Sequence, residues 1–284
     1  MTPLVVTAVL LAAVTHASWN AIAARIHDQL LSFTLISGGG ALIGIVGVCF
    51  TPLPAAGAWP YLIASAALHV AYYALLMKSF ALGDFGQMYP IARGTAPLVV
   101  TLLAALFVGE IPDAGQLAGV AVACAGLTGL ALWGIRGKGA RPHWPALLAA
   151  GTTGLSIAAY TVVDGVGVRA SGTPLGYIAW LMLLEGLVIP VYAVTRRGPA
   201  VLAAELRPFA ARGLLGAAMS VAAYALVLWA QTKAPLAPIA ALRESSIIVG
   251  AAIGALLFKE RFGGPRVAAA GLMVVGIGLM LYAS

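Results

Sequence analysis

Apolar residues run along this chain in stretches of about twenty, separated by short clusters of Pro, Gly, Asp and basic side chains. The stretches predict helices near residues 3 to 24, 29 to 51, 59 to 81, 87 to 108, 114 to 135, 145 to 166, 174 to 194, 213 to 232, 237 to 258 and 265 to 283. A helix of that length crosses a bilayer and satisfies its own backbone in lipid, so the fold class expected is an all-α polytopic membrane protein with ten transmembrane helices. The first run, Met1 to Ala17, ends in Thr15-His16-Ala17, loosely like a signal-peptidase site. A secretory signal needs a positively charged start, and no basic residue precedes Arg25, so this run is expected to be a retained first span.

Composition closes off the other classes. Hydrophobic side chains make up 62% of the 284 residues, charged ones 9%, and the mean hydropathy is +1.00. Soluble domains carry about 25% charged residues, and disorder needs few apolar ones. Ten helices use about 200 residues, which leaves no room for a separate soluble domain. The net charge of +7 does not point to nucleic acid, because the basic residues are scattered between apolar runs rather than gathered in a patch.

Those basic residues act as topology signals. Arg25, Lys78, Arg93, Arg136, Lys138, Arg141, Arg196, Arg197, Arg207, Arg212, Lys259, Arg261 and Arg266 fall on one side of the ten-span arrangement, whereas Arg169, Lys233 and Arg243 fall on the other. Cytoplasmic flanks collect Lys and Arg, so both termini are expected outside, in the plasma (inner) membrane of a bacterium-like cell. Cys49 and Cys124 lie inside apolar runs and are expected to be small packing residues.

A weak internal repeat occurs at an offset of about 150 residues. Arg93, Val99, Ala105, Leu106 and Glu110 coincide with Arg243, Val249, Ala255, Leu256 and Glu260. In each copy the Arg comes early in a span, the Glu closes it, and one last apolar helix follows. The expected organisation is a five-helix repeat over 1–135, a basic connecting loop over 136–144 and a second five-helix repeat over 145–284. An odd number of spans forces the second copy to cross the membrane upside down. Inverted repeats with a site at midplane between the halves are the architecture of many secondary transporters, so transport is the leading inference.

The stretch Tyr89-Pro90-Ile91-Ala92-Arg93-Gly94-Thr95-Ala96-Pro97, ending in Gly109-Glu110, resembles the EamA-like domain of the drug/metabolite transporter superfamily. Ala241-Leu242-Arg243-Glu244-Ser245-Ser246, leading to Lys259-Glu260-Arg261, is similar. The resemblance covers essentially the whole chain. It implies ten helices in two inverted five-helix halves, a central cavity lined chiefly by helices 1, 3, 4, 6, 8 and 9, and movement of small metabolites. Two features depart from relatives in that superfamily. Many members have a basic turn between helices 2 and 3, whereas Thr51 to Ala58 is uncharged, in keeping with the external N-terminus. The small multidrug members use a glutamate in their first helix, and this first helix has none.

Polar residues inside spans are functional candidates, since a charge at the bilayer centre costs about 2.5 to 3.5 kcal/mol on insertion scales. His16, Trp19 and Asn20 are spaced i, i+3, i+4 and share one helix stripe, as do His69, Tyr72 and Tyr73. Such stripes fit a cavity wall that stacks on or hydrogen-bonds an organic solute; interhelical hydrogen bonding is the alternative. Arg93, with Tyr89 one turn earlier and Pro90 and Pro97 freeing carbonyls, is a candidate anion or carboxylate contact, against structural pairing or snorkelling. Arg243 and Ser245 extend the solute-binding set. Glu244 is a candidate proton carrier or the partner of an ion pair with Arg93 or a histidine. Glu185, the deepest carboxylate by count, is a second proton-coupling candidate against a structural hydrogen bond. Tyr160 belongs to the solute-binding set and shares a face with Asp164, which is expected to be a solvated helix cap. Glu110 and Glu260 are expected to anchor turns. Gly115 with Gly119 and Gly250 with Gly254 allow close helix packing without specifying a dimer, so monomer and homodimer both stay open.

The function expected is a secondary transporter moving a small organic, amino-acid-like or related solute by alternating access, with export as the direction and protons as the economical driving ion. No nucleotide-binding G-x-x-x-x-G-K-[ST] occurs, so no ATP is implicated. A flippase or carrier for a lipid-linked substrate is the alternative. A membrane enzyme has less support, as H-E-x-x-H and G-x-S-x-G are absent, Asp84 is placed in a turn, and no catalytic residue is assigned. Neither a metal site nor a cofactor is expected. The partners are the solute and the lipid bilayer, with no nucleic acid.

Overall fold

The computed structural model describes residues 1–83, 85–94, 96–136, 144–257 and 264–282. Asp84, Thr95, Lys138, Arg141, Lys259, Glu260, Arg261 and most of the expected connecting loop lie outside these residues.

Among the described residues the ordered structure is helical. The elements are α1 (Pro3–Arg25), α2 (Gln29–Phe50), α3 (Trp59–Leu82), α4 (Phe85–Gly94), α5 (Ala96–Leu103), α6 (Ala114–Arg136), α7 (Trp144–Ala170), α8 (Pro174–Gly186), α9 (Val188–Arg197), α10 (Pro199–Leu206), α11 (Ala210–Gln231), α12 (Leu236–Arg243), α13 (Ser246–Leu257) and α14 (Gly264–Tyr282). Local chemistry explains many of the starts. Thr2, Asp28 and Thr173 each accept the backbone N–H three residues on, which satisfies one of the orphan donors of α1, α2 and α8. Proline opens α1, α3, α8 and α10, where its missing N–H costs nothing.

Among the described residues seven helical stretches are long and apolar enough to cross a membrane: Pro3–Arg25, Gln29–Phe50, Ala56–Leu82, Ile91–Val108, Trp144–Ala170, Pro174–Arg197 and Pro199–Gln231. Two expected spans are broken rather than continuous: the seventh divides between α8 and α9 at Leu187, and the ninth between α12 and α13 at Glu244-Ser245. Conversely, α7 continues past residue 166 to Ala170, because no proline stops it before Ser171 and Gly172, whose φ of +69° turns the chain.

Helices from the two parts of the chain interleave. The principal neighbours are α1 with α11, α3 with α7, α2 with α8, and α6 with α14. In addition α1 lies against α12 and α13, while α7 lies against α4 and α5. The α6–α14 contact is close because of glycine: a Cβ on Gly276 would stand 2.6 Å from the Gly119 carbonyl oxygen.

The bundle is apolar outside and polar within. Phe50 (84% exposed) and Phe107 (75%) point outward, whereas Asn20, His69, Asp164, Glu185 and Glu244 are buried. That inversion of the soluble pattern suits lipid surroundings. Cys49 is exposed on the outer face and Cys124 is buried, so only the second is the packing residue expected. The charge pattern also needs correction: Arg93 and Arg243 are 1% and 2% exposed and flank no membrane surface.

Each end of the bundle has its own polar fastening. At one end Arg197 donates to Asp28 at 2.5 Å and to Glu205 at 2.7 Å. At the other, Arg169 donates to Glu110 at 2.7 Å and to the carbonyls of Gln231 and Ala234 at 2.8 and 3.0 Å. The Leu236 N–H donates to the second Glu110 oxygen at 2.6 Å, so Glu110 anchors α12 as well as its own turn.

Candidate functional site

The break between α12 and α13 places charged residues where backbone continuity is lost: Arg243 ends α12, and Glu244 follows before α13 starts at Ser246, while Arg93 is carried by α4. The N–H groups of Glu244 and Ser245 reach back three residues, to Ala241 and Leu242, in the tightened geometry of a last helical turn.

These residues meet across the bundle. Arg93 Nε donates to Glu244 Oε2 at 3.0 Å and Nη2 donates to Oε1 at 2.8 Å, a two-pronged ion pair that matches the guanidinium fork to the carboxylate. Arg93 Nη1 lies 3.2 Å from His16 Nε2, and Trp19 Nε1 donates toward His16 Nδ1 at 3.3 Å. A neutral imidazole has one acceptor nitrogen, so it accepts only one of these two donors at a time. At 1.5 Å per residue, His16 and Glu244 lie roughly 12 to 14 Å from the nearer helix end, near the middle of a hydrocarbon layer about 30 Å thick. Tyr89 stands beside the pair, its ring 6.4 Å from that of His16.

Arg243 is placed differently. It donates from Nη2 to Thr161 Oγ1 at 3.3 Å, and its Nε has no hydrogen-bond partner among the described residues. No described carboxylate lies within salt-bridge distance of it. Its charge reaches His16, His69, Tyr160, Asp164, Tyr224 and Glu244.

Beside these charges lies an aromatic crevice, lined by His16, Trp19, His69, Tyr72, Tyr73 and Tyr160 together with Met182, Glu185, Ser220 and Tyr224. The His69 ring stacks on Tyr160 with centroids 4.0 Å apart, and Tyr224 meets His69 edge-on at 5.1 Å. Trp19, Phe33 and Tyr73 interlock edge to face behind them. The space open to a water-sized body is only about 20 Å³, so the crevice is shut.

Asp164 is not the solvated cap expected from sequence. The extra turns of α7 carry it inside, where it is fully buried and accepts from Tyr177 at 2.8 Å and from Tyr224. The Ser65 hydroxyl stands 3.1 Å from His69 Nδ1. Glu185 is 2% exposed, and its Oε2 lies 3.4 Å from His69 Nδ1 without hydrogen-bond geometry. Buried polar groups thus run from Glu185 past His69 to Ser65, and Asp164 with its two tyrosines forms a second buried cluster on α7.

Of the residues singled out by sequence, His16, Trp19, His69, Tyr72, Tyr73, Tyr160 and Glu185 converge on the crevice. Arg93, Glu244 and Tyr89 form the ion-pair centre next to it, with Arg243 bonded to the same helix, α7, that carries Tyr160. Arg93 does not snorkel. Asn20 is apart from the crevice wall: it donates to the His16 carbonyl at 2.9 Å, and its Oδ1 is without a partner among the described residues. The Ser245 hydroxyl is likewise unpartnered there. Sequence reasoning missed Ser65, Thr161, Tyr177, Ser220 and Tyr224. Ser220 and Tyr224, spaced i, i+4 on α11, repeat the stripe pattern of α1 and α3 and could have been found by it. The described residues hold no His/Cys/Asp/Glu cluster arranged for a metal ion.

Residues 144–282 match the family model of the EamA-like transporter family, a domain of the drug/metabolite transporter superfamily. The match points to a membrane transporter of small solutes. No curated protein matches the sequence. One solved structure, described only as the crystal structure of a protein, superposes with a TM-score of 0.69 at 18% identity, covering 99% of this chain and 96% of that one. At that identity the likeness concerns the fold alone.

Proposed function

We propose that the chain is a secondary transporter that exports a small organic metabolite by alternating access, built as two inverted five-helix halves of ten spans in all. The observation that carries this reading is the buried Arg93–Glu244 pair, 151 residues apart in sequence, which joins α4 to the break between α12 and α13 beside His16 near mid-membrane. The helix neighbours support the inversion. Exchanging the first five spans for the second turns α1–α11 into α7–α3 and α1–α13 into α7–α4, while α2–α8 and α6–α14 map onto themselves. A twofold relation predicts that pattern.

His16, Trp19, His69, Tyr72, Tyr73, Tyr89, Tyr160, Arg93, Arg243 and Ser245 form the solute-facing set, with Asn20 holding the α1 backbone beside it. The crevice has no room for a metabolite as it stands, so a solute is admitted only when the halves part on one side. Glu185 and Glu244 are the coupling carboxylates; each is buried and next to a histidine or an arginine that senses its charge. Both termini face outward from a bacterial-type inner membrane, because the exposed Arg25, Lys78, Arg207 and Arg212 then lie in the cytoplasm.

The test is solute flux in proteoliposomes with and without an imposed pH gradient. Expected is saturable, gradient-stimulated uptake or counterflow that is lost in Arg93→Ala. Conversion of a lipid substrate without any flux, or wild-type flux in Arg93→Ala, Glu185→Gln and Glu244→Gln alike, is incompatible with it. Cysteines introduced at Thr51 and Arg196 test the orientation: labelling from outside is expected at Thr51 only.

A further inference from the structure

Two guanidiniums are buried at the centre of this bundle, and their hydrogen-bonding states are opposite. Arg93 is engaged on both prongs by Glu244 and faces His16 with its remaining nitrogen. Arg243, equally buried, has one 3.3 Å bond to a threonine hydroxyl and an orphaned Nε. The Thr161 hydroxyl is itself committed as a donor to the Ile157 carbonyl at 2.6 Å, so it offers Arg243 a lone pair but no charge. Asp164, the other carboxylate whose field Arg243 reaches, has its oxygens occupied by Tyr177 and Tyr224.

An arginine cannot shed its proton to escape burial, and an unpaired buried charge is costly. Among the described residues Glu244 is paired with Arg93, and no carboxylate stands within ion-pair distance of Arg243. We propose that Arg243 is the receptor for the anionic group of the transported solute, and that the solute is a small organic acid whose carboxylate or phosphonate oxygens take up the Nε donor that Arg243 leaves unused, beside Tyr160 and His69. Arg93 by contrast is engaged by Glu244 in this conformation and ties α4 to the break in α12–α13. This assignment rests on the transporter reading above and narrows its substrate class.

The probes are benzoate, phenylphosphonate and inorganic phosphate, each set against the neutral benzamide, with the purified full chain in detergent. Binding is measured by calorimetry and by the shift in unfolding temperature. Expected is saturable binding of at least one anion, with benzamide at least about ten-fold weaker, and a further loss of about ten-fold or more in Arg243→Gln. Arg243→Lys, which keeps the charge but not the fork, should retain partial binding. Preference between benzoate and phenylphosphonate then distinguishes a planar from a tetrahedral anion. Equal binding of benzoate and benzamide to the wild type, no binding by any anion, or undiminished binding in a folded Arg243→Gln would each overturn the proposal. The wild-type comparison stands even if that variant does not fold. Anion binding without flux in proteoliposomes would sink the transporter reading and spare this one, whereas equal flux of benzoate and benzamide would do the reverse.

Discussion

Two arginine–glutamate pairs, chemically alike, differ in what surrounds them. Arg93 and Glu244 have side chains 2% and 1% exposed, whereas Arg169 and Glu110 at the end of the bundle are 32% and 19% exposed. In the first pair each partner is what makes the other tolerable in a low dielectric. In the second, water and two backbone carbonyls share the load, and the ion pair itself contributes little. The inner pair marks a place where charge is held at a cost; the outer one is a strut that aligns α7, α12 and the turn after α5.

The largest effect should come from Glu244→Gln, which strands Arg93 and lowers unfolding free energy by about 3 to 5 kcal/mol while abolishing flux. Replacing both partners, Arg93→Met with Glu244→Leu, should recover most of that stability without recovering flux. A double variant as unstable as the single one would show that the pair contributes stability rather than serving the site. Next in size is Glu185→Gln, which nearly preserves shape. Flux down a solute gradient should persist while its stimulation by a pH gradient disappears; intact stimulation would remove Glu185 from coupling. Arg169→Gln should cost no more than about 1 to 2 kcal/mol, because it also gives up its carbonyl bonds, and should leave flux near wild type. A loss as large as that of Glu244→Gln would erase the distinction between site and strut.

The smallest effect concerns Asp28, outside the spans. Partial burial opposes its ionisation, but hydrogen bonds from Arg197 and from the Leu31 N–H outweigh that and hold its carboxyl below the ordinary value of 3.8. A carboxyl depressed in the folded state stabilises above its unfolded value, and that contribution is lost as pH falls through the lower folded one. Asp28→Asn should therefore flatten a shallow decline in melting temperature confined to pH below about 4 and change nothing at neutrality.

Much of the helix layout was legible in advance, since the runs, their caps and their prolines are local properties. The stripes His16–Trp19 and His69–Tyr72–Tyr73 were legible too, because helical spacing alone puts those residues on one face. Asp164 was misplaced for a local reason: its distance from the expected end of the helix decided its environment, and α7 ran on to Ala170. Arg93 and Arg243 looked equivalent in the repeat, each early in its span, yet one found a carboxylate and the other a hydroxyl.

What the amino-acid order determined by itself is the solvent this chain folds in and the helices it forms, because hydrophobic length and backbone satisfaction depend only on neighbours along the chain. Which polar groups meet inside was decided by the tertiary structure alone. Arg93, Glu244 and His16 come from three separate helices, and a charge separated by 151 residues from its partner is neutralised only through the angles at which those helices cross. That geometry, rather than any residue's identity, leaves Arg243 with donors to spare.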